Sequence, residues 1–230
     1  MNQLVLAVAA FVGTHFLLSH PLRAPLVARL GEKGFSGLYS VIALATFYGV
    51  YVSFRGAPAG DYFWTPGESL WGVASLLMLV ASILFAGSFV GNPAMPTPNA
   101  KADAAKPVHG VFHLTRHPMM WAFALWAIAH ALVAPYAASF VLTGGMFLLA
   151  LGGSAGQDAK KAKLMGAAWG DWSSRTSFVP FARQLTGKAK LSTLWPGLTP
   201  VLGGVVIWLV ATYVHPMLGA PVVGLWRMMG

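Results

Sequence analysis

His130 is a titratable imidazole inside 119–133, an apolar run with no charged side chain. A polar ring in hydrocarbon is costly and implies a ligand, a proton or a hydrogen-bond partner. His15 stands in a second apolar run, 3–18. Neutral imidazole is a good ligand for haem iron and for transition metals. Two such rings on two spans can hold one metal centre between them. The alternative for each is an interhelical hydrogen bond to Ser, Thr or Tyr.

Depth tests the pairing. If Arg23 and Arg116 mark one membrane surface, His15 lies eight residues in and His130 fourteen. Those depths differ by roughly 9 Å at the rise of an α-helix. Tilt, or kinks at Pro21 and Pro118, must absorb the difference. Otherwise His117 or His20 is the substitute ligand. His109, His113 and His117 fall at i, i+4, i+8. In a helix they would share one face, yet no carboxylate accompanies them. His215 precedes Pro216 and reads as an exposed interfacial residue. There is no phosphate-binding glycine loop and no Ser-His-Asp set. The six carboxylates all fall outside the interiors of the apolar runs, which argues against carboxylate acid–base chemistry within the membrane. No residue stands out as catalytic.

The elements that must position these histidines are membrane helices. Hydrophobic residues make up 57% of the chain and charged residues 9%, against about 25% charged in a soluble domain. Apolar runs recur at about 3–18, 37–54, 70–90, 119–133, 138–156 and 198–214, near the length a bilayer helix needs. The expected fold is all-α: an integral membrane bundle of about six transmembrane helices, one domain over 1–230. Segments four and five are joined only by a turn at Pro135-Tyr136, so they form an antiparallel hairpin. Gly144, Gly145, Gly152 and Gly153 permit close helix approach.

The net charge of +9 is a topology signal and not a nucleic-acid footprint. Alternate loops hold 13 of the 15 Lys and Arg residues. The positive-inside rule then puts those loops in the cytoplasm and both termini in the periplasm of an inner-membrane, multi-pass protein. No Lys or Arg precedes the first run, so it reads as a retained span. The segment 157–190 is basic and aromatic, suited to lie against anionic headgroups. Absence of cysteine excludes disulfides, thiolate catalysis and iron–sulfur clusters.

Several motifs carry a family resemblance. Gly13-Thr14-His15, Ser19, Leu22-Arg23, Gly31 and Gly37-Leu38-Tyr39-Ser40 resemble the start of the NnrU family. The stretch from Arg116-His117-Pro118 through Trp121 and Trp126 to His130 resembles that family's second motif. The resemblance implies a bacterial membrane protein associated with nitrite and nitric oxide reduction in denitrification. A nitric oxide reductase-related partner is implied with it. The family is related to the plant ζ-carotene isomerases, haem b membrane enzymes that convert a cis double bond to trans. Carried over, their functional histidines correspond to His15 and His130. The implied reading is a haem b-binding protein with metal ligands His15 and His130, acting on an apolar polyene-like small molecule that enters from membrane lipid. A cysteine near the second ligand of the plant enzymes has no counterpart here.

A more distant similarity is to isoprenylcysteine methyltransferases and sterol reductases. There an Arg-His-Pro helps bind a nucleotide-like cofactor, so Arg116 and His117 become candidate cofactor contacts. This S-adenosylmethionine alternative lacks the usual acidic and tyrosine residues between Trp169 and Pro180. The non-enzymatic alternative is an accessory protein of nitrite and nitric oxide reduction.

Overall fold

Apolar side chains around the whole circumference make the long helices here, as hydrocarbon requires. In the computed structural model, which describes residues 1–58 and 60–229, α1 (Asn2–Ser19) and α2 (Arg23–Arg55) come first. α3 (Glu68–Gly87), the short α4 (Ala100–Ala105), α5 (Pro118–Val133) and α6 (Ala137–Met165) follow. The chain continues through α7 (Ala167–Arg175), α8 (Ala182–Leu185), α9 (Leu198–Val214) and α10 (Leu225–Met229). Ala59 and Gly230 lie outside the described residues. Among the described residues no strand occurs.

Five helices are long and apolar enough to cross a membrane: α1, α2, α3, α6 and the stretch containing α9. The sixth, α5, is apolar throughout but has 16 residues, about 24 Å of helix. Pro118 at its first turn starts it, where a missing N–H costs nothing. A turn at Pro135 joins α5 to α6, the hairpin expected from sequence.

The helices pack as a row in the order α2, α1, α6, α5, α3, α9. The end members leave apolar stripes uncovered. Leu44, Tyr48 and Tyr51 on α2 are exposed, as are Leu202, Val206 and Val210 on α9. These faces suit lipid. Glycines set the closest approaches. A Cβ on Gly145 would overlap Val8 of α1, and one on Gly204 would overlap the backbone of Ile83 on α3. Gly145→Val is therefore expected to lower stability by about 1–3 kcal/mol, as overpacking does. A detergent melting curve checks this, and an unchanged midpoint would contradict the tight α1–α6 contact.

One end of the bundle is basic and the other carries both termini. At the basic end two sequence expectations are corrected. Residues 109–117 do not form one helix. A 3₁₀ turn covers Gly110–His113 and the chain then bends before Pro118, so His109, His113 and His117 do not share a face. Burial lowers the pKa of His113 below its ordinary value. The aromatic part of 157–190 does not all face outward either. Trp169 and Trp172 are buried with Val111, Phe112 and Ala104 in a core that continues into Leu84 of α3 and Ala122 of α5, with Trp172 edge-on to Phe112. The guanidinium of Arg175 donates to the carbonyls of Ala104 and Lys106 at 2.7 and 2.9 Å. It thereby caps α4, where unpaired carbonyls favour a cation.

The Lys/Arg partition makes a prediction about sidedness. The natural chain has no cysteine, so single cysteines can be introduced cleanly. Ala102→Cys and Thr186→Cys are expected to be shielded from an impermeant maleimide applied to intact cells, and Asp61→Cys to react. Labelling of all three from one side would break the alternating arrangement.

Candidate functional site: a basic-rimmed cavity between three helices

At the basic end, α1, α2 and α6 diverge around a cavity of about 700 Å³. Local sequence opens it. α1 stops at Ser19, and a turn at His20–Leu22 reverses the chain into α2. Within α2, Gly31 takes φ 68°, ψ 170°. A side chain there would meet its own backbone, so glycine is what this kink requires. The Arg23 guanidinium spans the kink and donates to both Glu32 carboxylate oxygens at 2.9 and 3.1 Å.

The wall is apolar: Phe11 and Phe16 of α1, Phe35 of α2, Met146 and Leu149 of α6, and Phe123 of α5. The rim carries Arg23, Lys33 and Lys160 against one acid, Glu32. Glu32 is already committed to Arg23, so Lys33 and Lys160 give the mouth a net positive field.

His15 and His20 both line this cavity. The His15 Nδ1 lies 2.7 Å from the Phe11 carbonyl. A carbonyl only accepts, so Nδ1 carries the proton and Nε2 keeps its lone pair. The ring packs on Phe11 at 4.3 Å and edge-on to Tyr39 at 5.4 Å between centroids. His20 stacks on Phe16 and fills the space left by Gly156 of α6. Burial first, and then the charge of Lys160, lower the His20 pKa below its ordinary value. Its neutral form therefore dominates at pH 7.

His130 lies elsewhere. Its Nδ1 donates to the Trp126 carbonyl at 2.8 Å, the same tautomer as His15. Its ring packs against Trp126 and lies 6.3 Å from His215 between centroids. The α5 residues that reach the His15 cavity are Met120 and Phe123. His130 is seven and ten residues farther along, about 10–15 Å of helix rise. His130 is not among the residues that line the His15 cavity.

Arg116 and His117 form a third group, with a partner that sequence reading passed over. Asp158 of α6 accepts from Arg116 Nε at 3.0 Å and pairs with its terminal guanidinium nitrogen. His117 Nε2 stands 2.7 Å from the other carboxylate oxygen. The His117 side chain is fully buried, and its Nδ1 has no partner. It adjoins a cavity of about 30 Å³ lined also by Asn92 and Gln157. Thr115 and Trp121 both donate to the Phe178 carbonyl at 2.8 Å, and Arg116 N donates to Ser177 O. These bonds lock the motif between α6 and the irregular segment 177–181. The Arg116 and His117 side chains of the Arg-His-Pro motif are both engaged by Asp158.

Asp158 was hidden because α6 runs to Met165, beyond the apolar run 138–156. The signal existed: Ser154, Lys161 and Met165 continue a buried stripe at i, i+7, i+11. Among the described residues no group of three or more His, Asp or Glu side chains is placed to hold a metal.

The family model of the NnrU protein matches residues 3–222. The chain belongs to the NnrU family. No curated protein and no solved structure matches it. The matched span contains every helix from α2 to α9, nearly all of α1, and each histidine discussed for this NnrU protein. Its helices, five of them long and apolar enough to cross a membrane, make it a helical membrane protein.

Proposed function

We propose that this NnrU-family protein is a membrane haem b protein, with the haem seated in the α1–α2–α6 cavity on His15, serving nitrite and nitric oxide reduction. One observation carries the reading. The His15 Nε2 lone pair is left free in an apolar cavity with a cationic rim. Ligating imidazoles commonly donate their other N–H to a carbonyl, which fixes the ring and raises its basicity. The Phe11 carbonyl does this here.

The donor set and lining fit the group. Haem b is flat and apolar with two carboxylates at one edge. Phe11, Phe16 and Phe35 suit the macrocycle, and Lys33 and Lys160 suit the carboxylates. His20 is the second imidazole on the same cavity. His130 is not among the residues lining this cavity, so the structure lends the His15–His130 pair no support. His20 sits on a turn outside α1, so of the two imidazoles that would hold the group it would be the more readily displaced. When bound, haem iron with one exchangeable position supplies electron transfer or the binding of a small diatomic such as nitric oxide. The chain's own work is to hold His15 in one tautomer, exclude water with its phenylalanines, and neutralise two carboxylates.

Cavity size bears on the isomerase alternative. Ligand sites of roughly 300–1,000 Å³ hold one molecule of drug size. A volume of about 700 Å³ suits one haem better than a haem with a long polyene beside it. The methyltransferase alternative loses support because Arg116 and His117 are held by Asp158.

The test is an absorption spectrum of the detergent-purified protein, oxidised and reduced, with haem titration of any unloaded fraction. About one haem b per chain is expected. Protein with a normal melting curve that takes up no haem would overturn the reading.

A further inference from the structure

The terminal end of the bundle holds a second pair of imidazoles, His130 and His215, which the haem reading does not use. We propose that they form a two-histidine site for a single copper ion.

Tautomer is the first argument. His130 Nδ1 donates to Trp126 O and His215 Nδ1 to Pro221 O, both at 2.8 Å. Each ring therefore keeps Nε2 as its lone-pair donor, and each has the carbonyl partner that holds a ligating imidazole in place. Separation is the second. The ring centroids are 6.3 Å apart. A direct N–H···N hydrogen bond of about 2.9 Å allows at most about 5.3 Å between ring centres. Two rings bonded to one ion at about 2.0–2.1 Å, close to collinear, give about 6.4 Å. The observed spacing matches an ion between the rings and exceeds a direct bond. Positioning is the third. Trp126 covers one side of His130 at 4.3 Å. The segment after His215 is clipped to α3 by Arg227, which pairs with Glu68 at 2.6 Å. His215 is thus placed by tertiary contacts and not left on a loose tail.

The donor set selects the ion. Two neutral nitrogens with no carboxylate exclude Ca²⁺ and Mg²⁺, which need oxygen ligands. Structural zinc takes four protein ligands, and no group of three candidate side chains exists among the described residues. Copper stands at the top of the affinity order for nitrogen sites.

Metal-stripped, haem-free protein without a histidine tag, titrated with copper against a competing chelator, tests this. Wild-type protein is expected to bind one ion tightly. His215→Ala and His130→Gln should each weaken binding at least about 100-fold, because even outer-shell changes cost 10–100-fold. His109→Ala, at a half-buried loop side chain at the other end, serves as the control and should bind as wild type. Electron paramagnetic resonance of the Cu²⁺ form should show two coupled imidazole nitrogens, reduced to one in His215→Ala. Folding is checked by the melting curve of each variant. Unchanged affinity in His215→Ala, or a single coupled nitrogen in the wild-type protein, would overturn the proposal.

Discussion

His15→Ala is expected to abolish the haem spectrum of the purified protein, while His130→Ala leaves it in place. The asymmetry follows from where the rings sit. His15 presents Nε2 to the cavity wall formed by Phe11, Phe16 and Phe35. His130 faces Trp126 and His215 at the opposite end. Loss of the only helix-borne ligand should weaken haem affinity by at least about 100-fold. His20→Ala should retain haem but convert a six-coordinate spectrum to five-coordinate. Because burial and Lys160 hold the His20 pKa below 6.5, its lone pair stays available as pH falls through 6.5. The six-coordinate form is therefore expected to persist below that pH and to disappear only as His20 takes up its proton. Spectra of the three variants at matched expression decide between the arrangements. Loss of haem in His130→Ala with retention in His15→Ala would reverse the ligand assignment.

Asp158→Ala is expected to be the most destabilising single change at the basic end. Asp158 is the shared acceptor of Arg116 and His117, whose side chains are 14% and 0% exposed. Removing one partner of a buried pair strands the other charge, at a cost of about 3–5 kcal/mol. The Arg116 guanidinium keeps only its stacking over Phe178, at 5.4 Å. His117, whose Nδ1 is already unpaired, loses its remaining side-chain partner. The loss should appear as a lowered melting midpoint in detergent and as protease sensitivity around residues 177–181, which are strapped to this motif. Arg116→Met with Asp158→Leu should recover part of the stability, since a well-packed apolar replacement avoids the stranded charge. A double-mutant cycle reads the coupling directly. If Asp158→Ala melts like the natural protein, the ion pair is not a structural lock and Arg116 is free for another role.

The membrane fold was open to sequence reading because a spanning helix satisfies its backbone bonds within itself. Its hydrophobicity and length are therefore local properties, visible in 3–18 or 198–214 without any partner. The same holds for the α5–α6 hairpin, where a three-residue connection leaves no other geometry. The His15 hydrogen bond goes to Phe11, one turn back on the same helix, and not to the Ser, Thr or Tyr of a neighbouring helix that the sequence reading offered. The basic loops were counted correctly, but their partners were not. Arg175 and Lys161 are spent on backbone carbonyls, Lys161 Nζ donating to Met95 O at 2.9 Å. Nothing periodic in a loop announces that.

What the sequence determined alone is a helical membrane chain with polar rings at fixed heights on its helices. What the tertiary structure decided is which of those rings meet. The row α2, α1, α6, α5, α3, α9 is not the chain order. It sets α6 between α1 and α5, so the helices that carry His15 and His130 are not direct neighbours in it. It turns Asp158 toward Arg116 and brings His215 to His130, 85 residues away in the chain. Helix height follows from counting residues at a fixed rise. Helix neighbours follow from glycine-to-side-chain fits such as Gly145 against Val8, which depend on surfaces far apart in sequence and leave no local period to read.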